Sequence, residues 1–387
     1  MVIFFVLLTW LVLGFLTLGI AGFHFVAMNR KAMKPWNFNI NGEYLPKVSI
    51  IVPTFNEAQV IRFKLLNLSR LDYPHSLLHV IVVDSNSTDG TLEVVRGFSA
   101  QYPALDLEVL SSSEKGKTAA LNFALKKAVG DVVLVSDADC FYERDMLKKA
   151  IPYLSVNNVG AISGVKLLLN KGSPGIVKAE ANYLASMNGV KLGESKLGFT
   201  PLFEGGFSAY KIDVIKSFDP YKTGSDDCGS VIKLAEEGRK AILVSEAAFF
   251  TGFPTSRRER INMKVRRSNQ LIRIFARYLS LLFQGRIKVG RRVIASDAYI
   301  YLFCPSLFVA FLCLTPVTFW FYPWLLLLLL VFIVPKVGSM LFELCQNYLF
   351  LFVGLVSVAS GRTALVWVKP KDRESLSEQL LADAGLI

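Results

Sequence analysis

Histidine and cysteine are scarce in this sequence. Only three of its 387 residues are His, and none of them follows a predicted β-strand. A His-rich zinc site at the strand ends is therefore not expected. The five Cys residues show no metal-binding spacing, and Cys304, Cys313 and Cys345 lie in apolar stretches. We expect neither a cysteine metal site nor disulfides.

Charged residues are absent from residues 3–27, which contain no Lys, Arg, Asp or Glu. A helix of this length crosses the roughly 30 Å hydrocarbon core of a bilayer. A cleaved signal peptide is the alternative, but its basic leading region is missing, because only Met1 and Val2 precede the apolar run. We predict a retained transmembrane anchor over residues 1–30.

A second apolar region occupies residues 298–361, and the whole chain is 52% apolar with a mean hydropathy of +0.42. Residues 299–335 are interrupted by Pro316 and Pro323, and residues 337–360 carry Glu343 among other polar residues. This pattern predicts a C-terminal transmembrane region with two or three spans.

Basic residues flank these apolar regions and predict the orientation, since Lys and Arg mark the cytoplasmic side. They are Arg30, Lys31, Lys34 and Lys47 after the first span, Arg286, Lys288, Arg291 and Arg292 before the next, and Arg362, Lys369, Lys371 and Arg373 in the tail. We predict a multi-pass cell-membrane protein with its middle region and its tail, 362–387, in the cytoplasm. An even number of C-terminal spans follows, with part of 337–360 in the interface or re-entering the membrane.

The net charge of +12 raises the question of a nucleic-acid partner. No nucleic-acid-binding motif accompanies this charge, so nucleic-acid binding is not expected. Much of the charge lies in residues 256–297, which we predict to be basic amphipathic helices at the membrane surface. Anionic lipid headgroups or a diphosphate would attract such segments.

The middle region, residues 46–255, alternates short β-branched runs with amphipathic segments. The strands are VSIIVPTF, LHVIVVDS, LEVLSS and DVVLVSD, and the helices between them are EAQVIRFKLLNLSRL, TDGTLEVVRGFSAQY and KTAALNFALKKAV. This alternation predicts an α/β domain with an open, doubly wound, mainly parallel sheet. Neither a G-x-x-x-x-G-K-[ST] loop nor a G-x-G-x-x-G loop follows its first strand, which argues against the P-loop and dinucleotide-binding classes.

Polar side chains follow each of these four strands, and such sheets bind ligands beyond the carboxyl ends of their strands. The fourth strand ends in VSDADC, where Asp137 and Asp139 are separated by one small residue. Asp is common where a strand gives way to a turn, so a simple capping turn is the alternative interpretation. Two closely spaced carboxylates also form a hard oxygen site for Mg²⁺ or Mn²⁺.

Taken together, the motifs IVPTFNE, VVDSNSTDGT, KTAALN, DAD, FEGGFSAYK, TGSDD and QLIR resemble those of membrane-bound family 2 glycosyltransferases with the GT-A fold. They are similar to the D, DxD, TED and QxxRW series of cellulose synthase, hyaluronan synthase and ceramide glucosyltransferase. The resemblance runs in order from Ile51 to Arg273. It implies a cytoplasmic GT-A domain flanked by N- and C-terminal transmembrane helices.

The resemblance also implies roles for individual residues. The residues implied to bind the nucleotide sugar are Pro53, Thr54, Glu57, Asp84, Lys117, Asp137, Gly205 and Gly206. Asp139 would be the principal ligand of Mn²⁺ or Mg²⁺, with Asp137 beside it.

The implied catalytic residues come from the later motifs. Asp227 would be the general base, and Asp226 takes the place of the family's Glu. An ordinary helix N-cap is the alternative role for Asp227. Gln270 and Arg273 share one helix face and would assist transfer, although a basic helix lying on the membrane would show the same pattern. The family's Trp after this Arg is Ile274 here, so the stacking surface that the family has at the acceptor end is missing.

Three functions are compatible with these features. The first is transfer of one sugar to a membrane lipid or lipid-linked acceptor, with a UDP-sugar as the donor that the family resemblance implies. The second is processive polysaccharide synthesis, for which a homo-oligomer would supply the missing helices. The third is a catalytically silent sugar-nucleotide sensor or polymer-export partner, which is disfavoured because Asp84, Asp137, Asp139 and Asp227 are all present.

Overall fold

The computed structural model describes residues 1–170, 175–254, 256–362 and 376–387. The basic tail residues Lys369, Lys371 and Arg373 lie outside these ranges. Eight strands form one sheet in the order β3-β2-β1-β4-β7-β6-β8-β5. The strands are β1 (Val48–Thr54), β2 (Leu78–Asp84), β3 (Leu107–Ser111), β4 (Val132–Val135), β5 (Cys140–Tyr142), β6 (Val159–Leu168), β7 (Ser208–Lys211) and β8 (Lys240–Thr251).

The four strands predicted from the sequence, β1 to β4, pair in parallel, and the α/β prediction is confirmed. β7 runs antiparallel between β4 and β6, β6 pairs in parallel with β8, and β5 is an antiparallel edge strand on β8. The side chains alternate between two cores: Ile50 and Val52 face one core, and Ile51 faces the other. Both faces of the sheet are therefore covered, which explains the nearly continuous apolar runs.

Helices cover both faces of the sheet and extend beyond it. They are α1 (Val2–Gly14), α2 (Ile20–Ala32), α3 (Ala58–Ser69), α4 (Thr91–Gln101), α5 (Lys117–Leu125), α6 (Met146–Ala150), α7 (Gly175–Lys196), α8 (Cys228–Glu237), α9 (Arg257–Phe283), α10 (Arg291–Ala298), α11 (Cys304–Phe321), α12 (Pro335–Ala359) and α13 (Glu378–Asp383). The predicted helices between the first four strands correspond to α3, α4 and α5, and are confirmed.

Three helices are long and apolar enough to cross a membrane: Val2–Ala32, Arg291–Phe321 and Val337–Ala359. The first joins α1 to α2, and the second joins α10 to α11, each through a short π-helical turn. Between the last two lies a shorter 3₁₀ segment, Pro323–Ile333. Residues 299–335 thus contribute to one long helix, which ends at Phe321. Pro323 then starts the 3₁₀ segment, which is too short to be a second long helix.

The last long helix carries polar side chains. Part of residues 337–360 was predicted to lie in the interface or to re-enter the membrane, because the basic tail favours an even number of C-terminal spans. The helix α12 is continuous and long enough to cross a membrane, and its polar residues face α9. Arg260 makes two hydrogen bonds of 2.7 and 2.9 Å to Glu343, and Lys264 donates to Asn347 at 3.0 Å. The polar positions of α12 therefore pair with the basic helix α9 along its length.

The N-terminal helix packs against two parts of the chain. Its first half, α1, stacks Trp10 on Phe311 of α11 at 5.1 Å between ring centroids. Its second half, α2, approaches α7 closely at two glycines. A Cβ atom on Gly193 would lie 2.1 Å from the carbonyl oxygen of Met28, and one on Gly189 would lie 2.2 Å from Asn29. Only glycine allows this separation, so the pair fixes α2 against α7.

The C-terminal residues return to the sheet domain. Leu381 and Leu386 are buried in the core under α3 and β5. The side-chain amide of Asn67 donates to the carbonyl oxygens of Tyr142 and Leu386, both at 2.8 Å. The end of the chain is therefore joined through one side chain to β5, the strand that directly follows Asp137 and Asp139.

Candidate active site

The ends of β1 and β2 place Thr54 beside Asp84. Thr54 Oγ1 donates to Asp84 Oδ1 at 3.1 Å, and the backbone N–H of Ser87 donates to Asp84 Oδ2 at 2.8 Å. The Asp84 side chain is fully buried. These donors keep a buried carboxylate satisfied and fix its orientation.

The two loops after these strands are joined by further hydrogen bonds. Asn56, with φ 55°, donates its backbone N–H to Ser87 Oγ at 2.8 Å, and the backbone N–H of Glu57 donates to Thr91 Oγ1 at 2.8 Å. Asn tolerates this left-handed conformation better than most residues. The loop that follows Pro53 and Thr54 is therefore held rigidly beside the loop of Asp84.

Lys117 connects the acidic residues of two distant motifs. Its Nζ atom lies 2.7 Å from Asp137 Oδ1 and 2.8 Å from Asp226 Oδ2. Burial opposes the charge, but the carboxylates of Asp137, Asp226 and Asp227 raise the pKa of Lys117 well above its ordinary value. The ammonium group stays protonated and provides a fixed positive charge at the strand ends.

The surroundings of Asp226, in contrast, favour its neutral form. Burial raises its pKa to about 6, and the negative charges of Asp227 and Asp137 act in the same direction, against the opposing effect of Lys117. The two motifs, DAD and SDD, thus form one electrostatic unit around Lys117. Neither motif alone indicates this connection.

Asp137 and Asp139 offer oxygen atoms suited to a divalent cation. Ligand atoms of Asp137, Asp139 and Cys140 lie within 4.8 Å of one another, and both carboxylates are partly accessible. Burial raises the pKa of the Cys140 thiol well above its ordinary value, and the charges of Asp139 and Asp137 act in the same direction. Two hard carboxylates that remain open to solvent fit Mn²⁺ or Mg²⁺ held jointly with a substrate diphosphate.

Gly205 lies among these charged groups. A Cβ atom there would lie 3.1 Å from Lys117 Nζ, 3.4 Å from Asp137 Oδ2 and 3.5 Å from Asp227 Oδ2. Its neighbour Gly206 has a packing role, because a Cβ atom there would come within 2.2 Å of the Phe249 ring. The two predicted glycines therefore serve different purposes: one keeps the site open and the other allows the sheet core to close.

Asp227 occupies the N-cap of α8, and its Oδ1 accepts from the Cys228 backbone N–H at 2.6 Å. Ser225 donates to the same oxygen. The capping role considered for this residue is therefore present. Its other oxygen, Oδ2, faces Gly205, so capping leaves one carboxylate oxygen directed toward the site.

On α9, Gln270 reaches the site and Arg273 does not contact its carboxylates. The Gln270 side chain donates to the carbonyl oxygen of Gly224, next to the SDD motif. Arg273 donates from Nε to Asn269 Oδ1 at 2.9 Å on its own helix. Arg266 was not predicted from the sequence; its pKa is lowered by burial and by Arg267, against the opposing effect of Asp227, Asp137 and Asp226. It lies one turn before Gln270, a spacing that could have indicated it.

A second ion pair borders the site at Glu204, which directly precedes Gly205. The Lys191 ammonium on α7 pairs with this carboxylate. Burial raises the pKa of Glu204, but the charges of Lys191, Lys166 and Arg267 outweigh it and lower that pKa to about 2. The side chains described above therefore meet at one rim of the sheet, together with α7 and α9. This rim lies on the side where α9 packs against the long helix α12.

Comparison with known proteins supports the architecture. Residues 49–218 match the model described as Glycosyl transferase family 2. The solved structure of mannosyltransferase PcManGT from Pyrobaculum calidifontis, in complex with GDP-Man and Mn²⁺, superposes with a TM-score of 0.77 at 27% identity. The superposition covers 91% of this chain and 98% of that one.

Curated relatives match over shorter segments. The probable glycosyltransferase YdaM of Bacillus subtilis is 35% identical over 154 residues, which are 38% of this chain and 35% of that protein. Beta-monoglucosyldiacylglycerol synthase of Synechocystis is 35% identical over 127 residues, 33% of this chain and 26% of that protein. The chain thus spans about a third of these curated relatives' length. Residues 49–218 are a family 2 glycosyl transferase domain with the GT-A fold.

Proposed function

We propose that this protein transfers a sugar from a nucleotide sugar to a membrane lipid or a lipid-linked acceptor. The observation that carries this proposal is the bridge of Lys117 between Asp137 and Asp226, at a rim closed by α9. This arrangement combines a cation for a diphosphate, carboxylates for a metal ion and carboxylates for a proton. A helix packed on a long apolar helix borders it, where a lipid headgroup would arrive.

The donor would bind across the ends of β1, β2 and β4. In this proposal Pro53, Thr54, Glu57 and Asp84 surround the nucleoside, while Lys117 and the open space at Gly205 receive the diphosphate. Asp139, with Asp137, would hold Mn²⁺ or Mg²⁺. A divalent ion bound there neutralises the charge that develops on the departing diphosphate. Lys117 contributes to the same stabilisation from its fixed position.

The transfer itself would invert the anomeric centre. The acceptor oxygen attacks the anomeric carbon, and its proton moves to the Asp227 carboxylate. The bond between that carbon and the diphosphate oxygen breaks, and its electron pair leaves with the nucleoside diphosphate. We assign the proton to Asp227 because Asp226 is held by Lys117, whereas Asp227 Oδ2 faces Gly205. Arg266, which the carboxylates reach electrostatically, would assist beside Gln270.

Two features favour a lipid acceptor. The basic helix α9 borders the site and pairs with α12 through Arg260 and Lys264, so a headgroup would reach the carboxylates along this boundary. The name of one relative, Beta-monoglucosyldiacylglycerol synthase, describes a glycolipid product. For the donor nucleotide, the family resemblance favours UDP, whereas the Pyrobaculum calidifontis structure holds GDP-Man.

The direct test is transfer by purified full-length protein in native lipid with Mn²⁺. Radiolabelled UDP- and GDP-sugars are offered separately, and label is divided between organic-extractable lipid and high-molecular-weight polymer. Label in the lipid fraction that disappears in Asp139→Asn supports the proposal and identifies the sugar. Label retained as polymer would make the protein a processive synthase. No transfer from any donor, with nucleotide still bound, would leave a sugar-nucleotide sensor.

The proposed topology places the catalytic domain on the cytoplasmic face, with all three long helices crossing the membrane. Two C-terminal crossings bring the tail back to the side of the domain, which agrees with the packing of Leu381 and Leu386 against that domain. A reporter fused after Ile387 should read cytoplasmic. Labelling of that reporter from outside the cell would contradict this topology.

A further inference from the structure

Three ionisable side chains converge away from the active site, where the N-terminal helix, α7 and α10 meet. They are His24 on α2, Glu194 on α7 and Asp297 on α10. His24 Nε2 lies 3.5 Å from Glu194 Oε1 and 3.5 Å from Asp297 Oδ1. Glu194 is fully buried, and the side chains of Asp297 and His24 are 3% and 12% exposed.

Each of these three side chains has a buried polar atom without a hydrogen bond. Within the described part of the chain, Nε2 of His24, Oε1 of Glu194 and Oδ2 of Asp297 are buried without a hydrogen-bond partner. The other oxygen of Glu194 accepts from Thr200 Oγ1 at 2.6 Å and anchors the side chain. A buried polar atom without a partner costs about 1–3 kcal/mol, and more when charged. Three such atoms in one place require an explanation.

The distances from His24 Nε2 to Glu194 Oε1 and to Asp297 Oδ1 indicate a metal ion. A separation of 3.5 Å is longer than a hydrogen bond, which lies at roughly 2.7–3.2 Å for N–H···O. Two ligands at about 2.0–2.2 Å from a tetrahedral ion lie about 3.3–3.6 Å apart, which matches both measured distances. The ligand atoms of all three residues also lie within 4.8 Å of one another.

We propose that His24, Glu194 and Asp297 bind one divalent transition-metal ion, for which Zn²⁺ is the best fit. One imidazole nitrogen and two carboxylate oxygens suit Zn²⁺ better than Mg²⁺ or Ca²⁺, which prefer all-oxygen sites. Two carboxylates with one neutral imidazole carry two negative charges, and a divalent cation balances them. A His-rich zinc site was not expected at the strand ends. The present site lies elsewhere and contains a single His.

The surrounding helices hold the three ligands in place. Gly189 and Gly193 allow α2 to approach α7 at Met28 and Asn29, one turn beyond His24, and Glu194 directly follows Gly193. Metal bound here would join the N-terminal helix to α7 of the sheet domain and to the start of the second long helix. The site shares no residue with the proposed donor site, and the inference does not depend on the proposed function.

The test uses full-length protein in detergent, stripped with a chelator and reloaded with Zn²⁺ or Co²⁺. We expect about one equivalent of Zn²⁺ to remain after dialysis, a higher Tm with Zn²⁺, and the intense visible absorption of four-coordinate Co²⁺. The Asp139→Asn variant removes the active-site metal ligand and should keep all three signals. His24→Gln and Asp297→Asn should lose them, whereas His75→Gln, at a surface position, should not.

Two outcomes would overturn the proposal. One is wild-type protein that retains no Zn²⁺ and shows no four-coordinate Co²⁺ spectrum, in which case the three groups share protons instead. The other is an unchanged spectrum and metal content in His24→Gln and Asp297→Asn. Because the wild-type and Asp139→Asn measurements decide the first outcome alone, the test holds even if the ligand variants fold poorly. The far-UV circular dichroism spectrum of each variant checks its folding.

Discussion

The Lys117 ammonium lies 2.8 Å from Oδ2 of Asp226 and so joins the start of α5 to the motif that begins α8. The same ammonium pairs with Asp137. One side chain therefore pairs with carboxylates of both acidic motifs. In the proposed mechanism, loss of Lys117 would affect the donor side and the acceptor side together.

Replacing Lys117 with Met should reduce kcat/KM by about 10²–10³-fold, because the cation that faces the diphosphate is lost. The pKa of Asp226, about 6 in the wild type, should rise further without its partner. The acidic limb of the pH profile should therefore move to higher pH. Lys115→Met, at an exposed position two residues earlier, is the control and should leave both unchanged. A normal profile in Lys117→Met would contradict this role.

The Asp139→Asn substitution should abolish the metal dependence of donor binding. An amide is a weaker ligand for a hard cation than a carboxylate, so Mn²⁺ should no longer strengthen nucleotide binding in this variant. Calorimetric titration of the nucleotide with and without EDTA measures the effect. Asp145→Asn, further along the chain, provides the matched control. Equal affinities of Asp139→Asn and wild type in Mn²⁺ would remove Asp139 from the metal site.

Asp227→Asn should separate the two roles of Asp227. Asn is as good an N-cap as Asp, so α8 and donor binding should be preserved. The amide cannot accept the acceptor's proton, and turnover should fall by roughly 10²–10⁴-fold. Donor affinity and single-turnover transfer measured on the same preparation distinguish the roles. Turnover near the wild-type rate would show that another group takes the proton.

The glycine contact between α2 and α7 predicts a large loss of stability in Gly193→Ala. The added Cβ would lie 2.1 Å from the Met28 carbonyl oxygen, so the two helices must separate. Gly97→Ala on α4 is the matched control, because nothing lies within 4 Å of its Cβ position. Removing that helical glycine should stabilise the protein by about 0.5–1 kcal/mol. Thermal unfolding in detergent should move the two variants in opposite directions.

Leu381→Ala should show that the C-terminal segment is part of the catalytic domain's core. A fully buried Leu replaced by Ala costs about 2–5 kcal/mol, so the Tm should fall clearly. Gln379→Ala, two residues earlier on the exposed face of α13, should change it little. Equal Tm values for these two variants would mean that the tail does not pack as described.

Much of the fold could be predicted from local patterns. The first four strands and the helices between them follow from alternating apolar runs, and the apolar N-terminal helix follows from its missing charges. The polar residues of the active site were also predictable, because parallel strands end at the same edge. These signals are short-range, so each is contained in the residues that form it.

The rest depended on contacts between distant residues. The pairing of Arg260 and Lys264 with α12 explains why Glu343 is tolerated in an apolar helix, and no local pattern contains that information. The same holds for Arg266, whose charge interacts with Asp227, Asp137 and Asp226, whereas Arg273 bonds to Asn269 on its own helix. The tail and the His24, Glu194 and Asp297 cluster also assemble only on folding. Sequence periodicity determined which residues form strands and helices, and tertiary packing decided which charges face one another, because an ion pair depends on distance in space.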